Sequence, residues 1–235
     1  MSRLGRYIGI LAFVIVFWNT IVVKPLRLFA VFLHELGHAF MAVIFGYGIS
    51  AFKINLDESG YTIVRTKGLF SDMMVASGGY LGSVVFAVLI LYFGRTFIKD
   101  YILGALAILF MAISIKFSGV SFTLLFSSFF AIFVLILYMI RSEALNEWVI
   151  DIIGVSCISY AIYDTFVDTV LLQINNSFNI VKTWEKRQMI TDAIRMQQLT
   201  NIPAIFWGLL WFGLSLFAVI VLIKKTGYTK SRKKS

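Results

Sequence analysis

Cysteine is nearly absent from the chain: Cys157 is the one example in 235 residues. A lone cysteine makes no internal disulfide and no cysteine-based metal motif. Its expected place is a small buried residue in the apolar segment that carries it. Charge is scarce as well. Asp, Glu, Lys and Arg account for 14% of residues against 60% apolar, and the mean hydropathy is +0.89. Soluble domains carry nearer a quarter charged residues. The composition therefore excludes an ordinary soluble globule and describes an integral membrane protein. Internal repeats are missing too, which argues against a transporter built from two related halves.

The charge that is present leans positive, +9 at neutral pH. Six basic residues crowd the final dozen, KKTGYTKSRKKS. A basic tail (224–235) after a last apolar span reads as a cytoplasmic anchor, so no nucleic-acid partner is expected. The N-terminal MSRLGRYIGILAFVIVFWNTIVV has a basic start, but its apolar part is too long for a signal peptide and lacks a small-residue cleavage site. It reads as a retained first span.

Spans need roughly 17–25 mostly apolar residues. The pattern offers Tyr7–Val23, Leu28–Gly46, Met73–Gly94, Tyr101–Phe117, Val120–Ile140, Trp148–Gln173 and Pro203–Ile223. The links KPLR and KFSGV are very short, so either flanking pair can be a broken or re-entrant helix. The expected fold class is an all-α polytopic membrane protein of six or seven transmembrane helices, forming a single integral membrane domain over 1–235. Two polar stretches interrupt it. In 50–68, Phe52, Ile54 and Leu56 alternate with Lys53, Asn55 and Asp57, and a Gly-containing turn precedes a second strand-like run, which predicts a small β-hairpin. The stretch 175–202 predicts a helical segment at the interface or in solvent. Asn175 opens a glycosylation sequon of weak signal.

The chemistry sits in HELGHAF, inside an apolar span. His34 and His38 are the chain's two histidines. Four apart on a helix, they share one face and can grip one metal ion. Glu35 lies beside the first. This is the H-E-x-x-H arrangement of zinc metalloproteases, and it arises by chance in a chain this long with a probability below about one per cent. Ionisable residues at membrane depth are costly and mark function. Zinc needs a third protein ligand, and no histidine remains. Asp164 and Asp168 in SYAIYDTFVDTVLLQ are again four apart on an apolar span; one would ligate zinc while the other orients a histidine. Asp151 reads as interfacial and Asp192, in TDA, as a helix start. Gly78, Gly79 and Gly82 in ASGGYLGSVVF read as a helix-packing stripe, and the Phe-rich run from Phe117 to Phe133 as lipid-facing and packing surface.

HELGHAF in a span, then a hairpin, then ASGGYLG, then a late span with YDTFVD, resembles the site-2 protease family of intramembrane zinc metallopeptidases, in its small branch without PDZ domains. TDAIRMQQLTNIPAIFWGLLW resembles the end of that branch. The resemblance implies that His34 and His38 bind zinc, that Glu35 is catalytic, and that a late aspartate, favouring Asp164, completes the site, with Asp168 as an alternative ligand or a supporting residue. It also implies that the hairpin, through Phe52, Ile54 and Ile63, holds substrate as an extended strand, which would be strand addition at a sheet edge. Better-known members read leucine-aspartate-glycine where this chain has YDTFVD. Two readings follow. The first is a zinc-dependent intramembrane endopeptidase, acting on a membrane protein or peptide substrate within the lipid bilayer (the cell membrane, if the source is bacterial). The second is an inactive metal-binding membrane protein serving partner binding or metal handling.

Overall fold

The structure, a computed structural model, describes residues 3–171 and 191–231, with side chains at 168–170 and beyond 224 outside that description. Its elements, in chain order, are α1 (Arg3–Val16), α2 (Lys24–Phe45), β1 (Ile49–Ile54), β2 (Gly60–Val64), α3 (Leu69–Phe93), α4 (Lys99–Phe117), α5 (Phe122–Ile140), α6 (Glu143–Thr165), a π-helical turn (Phe166–Leu171), α7 (Asp192–Thr200) and α8 (Ala204–Ser231). Among the described residues, six helices are long and apolar enough to cross a membrane: α2 to α6, and α8 over Ala204–Lys224. The chain is thus a multi-pass, all-α membrane protein with one small hairpin, as its composition implied. Residues 175–190, with the sequon at Asn175, and 232–235 lie outside the described residues.

The expected span Tyr7–Val23 is not one helix. Its first part, α1, is 14 residues long, short of the length a bilayer needs. The chain then turns through Trp18, Asn19 and Thr20, where the Thr20 hydroxyl donates to the Phe17 carbonyl at 2.7 Å. Pro25 then opens α2, where its missing N–H costs nothing. KPLR is therefore not a link but the first turn of α2, and the break between the short helix and the full span falls at residues 17–23.

The hairpin is antiparallel, pairing Phe52 with Thr62 and Ile54 with Gly60. Its alternation works as read: Phe52 and Ile54 are fully buried while Tyr61 and Ile63 are exposed. Phe52 packs on Phe32 of α2 at 4.7 Å between ring centres. The far edge of β1 is closed by hydroxyls. Ser118 donates to the Phe52 carbonyl at 2.6 Å, and Thr123 both accepts from the Ile54 amide at 2.9 Å and reaches its carbonyl. β2 is the other edge of this two-stranded sheet.

α2 is central and packs most closely on α3. A Cβ on Gly37 would strike the backbone carbonyl of Gly78, and one on Gly82 would strike the Cα of Gly37. The two backbones touch because these positions carry no side chain, the arrangement that lets membrane helices approach. A second core cluster joins Ala76 and Tyr80 of α3 to Ala193 and Met196 of α7 and Trp211 of α8. Exposed apolar side chains such as Ile108, Phe129 and Leu135 suit a lipid-facing surface. Cys157 is buried in the main core.

At one end of the bundle, α1 is tied to α6. Arg6 meets Asp151 at 2.8 Å with both side chains largely buried. Asp151 is thus a buried, paired carboxylate and not the interfacial one its position in the sequence suggests, because α1 brings a cation to it.

Candidate metal centre

The first half of the site is local. His34 and His38 lie one turn apart on α2, and their Nε2 atoms face each other at 3.2 Å. The second nitrogen of His38, Nδ1, lies 2.7 Å from the Val75 carbonyl oxygen on α3. A carbonyl oxygen accepts and never donates, so Nδ1 carries the proton and Nε2 keeps its lone pair.

The second half comes from far along the chain. Oδ2 of Asp192 sits 3.2 Å from His34 Nε2 and 3.1 Å from His38 Nε2. Asp192 does stand at a helix start, as its local sequence predicts: Thr191 caps α7 by accepting from the Ile194 amide. Packing decides where that start points. Ala193 and Met196 bury against Tyr80 and Trp211, and Arg195 reaches Asp72 of α3 at 3.3 Å. The carboxylate is thereby turned onto the histidines.

The donor set fits a divalent cation on three observations. His34 Nε2, His38 Nε2 and Asp192 Oδ2 form a nearly equilateral triangle. A tetrahedral zinc ion with nitrogen and oxygen ligands sets neighbouring donors about 3.3 Å apart, close to these separations. Oδ2 of Asp192 is buried without a hydrogen bond among the described residues, and facing lone pairs repel unless something positive lies among them. Finally, a Cβ at Gly79 would collide with both Nε2 atoms. Glycine there leaves the space a metal would occupy, a role beyond the packing read for Gly78, Gly79 and Gly82. Two imidazoles and a carboxylate are a catalytic-type zinc set that leaves a fourth position open.

The sequence reading gave the third-ligand place to Asp164. The geometry brings Asp192 there instead. It sets Asp164, near the end of α6, against the opposite nitrogen of His34, its Oδ2 3.9 Å from Nδ1. A carboxylate beside Nδ1 favours the proton there and leaves Nε2 free to ligate. Asp168 falls in the π-helical turn, and its side chain lies outside the description.

Glu35 is buried and leans toward the hairpin. Its Oε2 accepts from the Thr62 hydroxyl at 2.7 Å. A Cβ at Gly60 would meet its Oε1, so β2 lies directly over this carboxylate. Of the three hairpin residues expected to hold substrate, Ile63 is exposed, whereas Phe52 and Ile54 are core residues without free surface. They anchor the hairpin, because β1 is sandwiched between α2 and the start of α5. The side chains of His34, His38 and Asp192 keep 17%, 12% and 17% of their surface accessible.

Sequence reasoning missed Asp192, Thr62 and the special place of Gly79. Gly79 alone had a signal, being part of a double glycine in the span that follows the hairpin.

A family model described as Peptidase M50B-like matches residues 7–222. No curated protein and no solved structure matches the chain.

Proposed function

Since the chain belongs to the Peptidase M50B-like family, we propose that it is a zinc-dependent endopeptidase that cuts membrane-embedded or membrane-proximal segments of other proteins. The observation that supports this most is the convergence of His34, His38 and Asp192 on one point, with Glu35 adjacent in sequence on a helix of spanning length. His34, His38 and Asp192 would hold the ion, and bound zinc would polarise the scissile carbonyl and make water acidic enough to attack at neutral pH. Glu35 takes the attacking water's proton and passes it to the departing amine. The Val75 carbonyl fixes the ring tautomer of His38, and the Asp164 carboxylate near His34 Nδ1 would favour the proton on that nitrogen. The open edge of β2 offers an extended substrate segment its backbone hydrogen bonds.

The test is Glu35→Gln in purified protein, assayed for bound zinc and for cleavage of a membrane-segment substrate. The expected result is full metal content with no cleavage. Retained cleavage would remove Glu35 from its role. Wild-type protein that binds zinc yet cleaves no substrate would point to the non-proteolytic reading.

A further inference from the structure

The Thr62 hydroxyl donates to Glu35 Oε2 at 2.7 Å and stands 3.2 Å from the backbone oxygen of the same residue. Glu35 is 6% exposed, so its carboxylate cannot take its orientation from bulk water and depends on protein donors. On its other side, the lack of a side chain at Gly60 makes room for Oε1. Two successive inward-facing positions of β2 thus shape the pocket of one carboxylate: one supplies a donor, the other supplies space. Thr62 also has a backbone side to its position. The outer edge of β1 uses Phe52 and Ile54, so the ladder bonds run through the alternate pairs Ala51–Ile63 and Lys53–Tyr61. The amide and carbonyl of Thr62, opposite Phe52, therefore face the outer edge of β2, which no strand pairs among the described residues.

We propose that Thr62 is a positioning residue: its hydroxyl holds Oε2 and so fixes the orientation of the Glu35 carboxylate for its work on the reacting water, while its backbone faces the edge where an extended segment pairs. This rests on the peptidase reading for its kinetic consequence, but the hydroxyl–carboxylate contact is testable without it.

Thr62→Val keeps the branched shape and the backbone edge and removes the donor. Thr62→Ser keeps the donor. With a cleavable substrate, Thr62→Val is expected to lower kcat about 10- to 100-fold with KM within about twofold of wild type, as loss of orientation at a catalytic group does. Bound zinc should be unchanged, and Thr62→Ser should stay within about threefold of wild type. A fall in KM-dependent binding alone, a serine variant as impaired as the valine one, or unchanged kcat in Thr62→Val would each overturn the proposal. The second measurement uses metal-free protein. The melting shifts of Thr62→Val and Glu35→Ala should fail to add in the double variant, because each removes one end of the same bond. Additive shifts would overturn the contact. If wild-type protein proves unable to cleave anything, the peptidase reading falls, and the melting cycle alone still decides whether Thr62 holds Glu35.

Discussion

His38 donates its Nδ1 proton to the carbonyl oxygen of Val75, 2.7 Å away on the neighbouring helix. The bond crosses between α2 and α3, so the helix pair itself fixes which nitrogen of His38 faces Asp192. Anything that shifts one backbone against the other rotates the His38 imidazole.

Gly37→Ala should show this. The new Cβ would strike the Gly78 carbonyl, and neither backbone has a flexible end to give way. Overpacking of this kind costs about 1–3 kcal/mol. A lower melting temperature in detergent is expected, together with weaker zinc binding. Gly213→Ala is the control, since its Cβ would meet nothing within 4 Å. Equal melting of the two variants would contradict the close approach.

Gly79→Ala should instead act on the metal. Its Cβ would intrude on both Nε2 atoms, so zinc content measured by elemental analysis should fall at least about tenfold at limiting metal. A variant that retains wild-type zinc affinity would show that the ion lies elsewhere.

The two aspartates near His34 should separate by degree. Asp192→Ala removes a donor and should abolish tight zinc binding. Asp164→Asn removes the carboxylate beside His34 Nδ1 and should weaken affinity about 10- to 100-fold, the range for a partner that orients a ligand. Isothermal titration with zinc on both variants decides. Complete loss in Asp164→Asn with retention in Asp192→Ala would reverse the assignment.

Stripping the metal with a chelator should lower the melting temperature and stop cleavage, and zinc should restore both. At free zinc about 100-fold above Kd, the stabilisation expected is about 2.7 kcal/mol. The ligands must be deprotonated to bind, so acidification should mimic the chelator. Melting that ignores both treatments would argue against a folded-state metal.

Arg6 and Asp151 make a separate prediction about stability. Arg6→Met takes the contacting cation from a largely buried carboxylate, and removing one partner of a buried pair costs up to about 3–5 kcal/mol. Arg6→Met with Asp151→Leu removes both charges and should recover most of the loss. If the double variant melts as low as the single one, the pair is not what binds α1 to α6.

How much of this was legible depends on sequence distance. The spacing of His34 and His38 is read within one turn of helix, and the alternation of Phe52 to Leu56 within one strand, so both elements follow from local pattern. Asp192 is different. Its neighbours Thr191 and Ala193 describe a helix start correctly, and nothing in that stretch says what the start will face. That is settled by Met196 and Ala193 burying against Tyr80 and Trp211, contacts between residues far apart in the chain. Asp164 looked the stronger ligand because an acid inside an apolar run is conspicuous, whereas an acid at a helix cap is ordinary. Phe52 and Ile54 were misjudged for a related reason: alternation tells which residues share a face, and packing alone tells which face is covered.

A lone two-stranded ribbon normally has two flanks on which it can recruit another chain. Here Ser118 and Thr123 plug one of them with side-chain oxygens, and those plugs come from the end of α4 and the first turn of α5. Growth of the ribbon is therefore polar. Among the described residues, an incoming strand would have a single berth, and docking there would set it along the residue whose hydroxyl grips the buried acid.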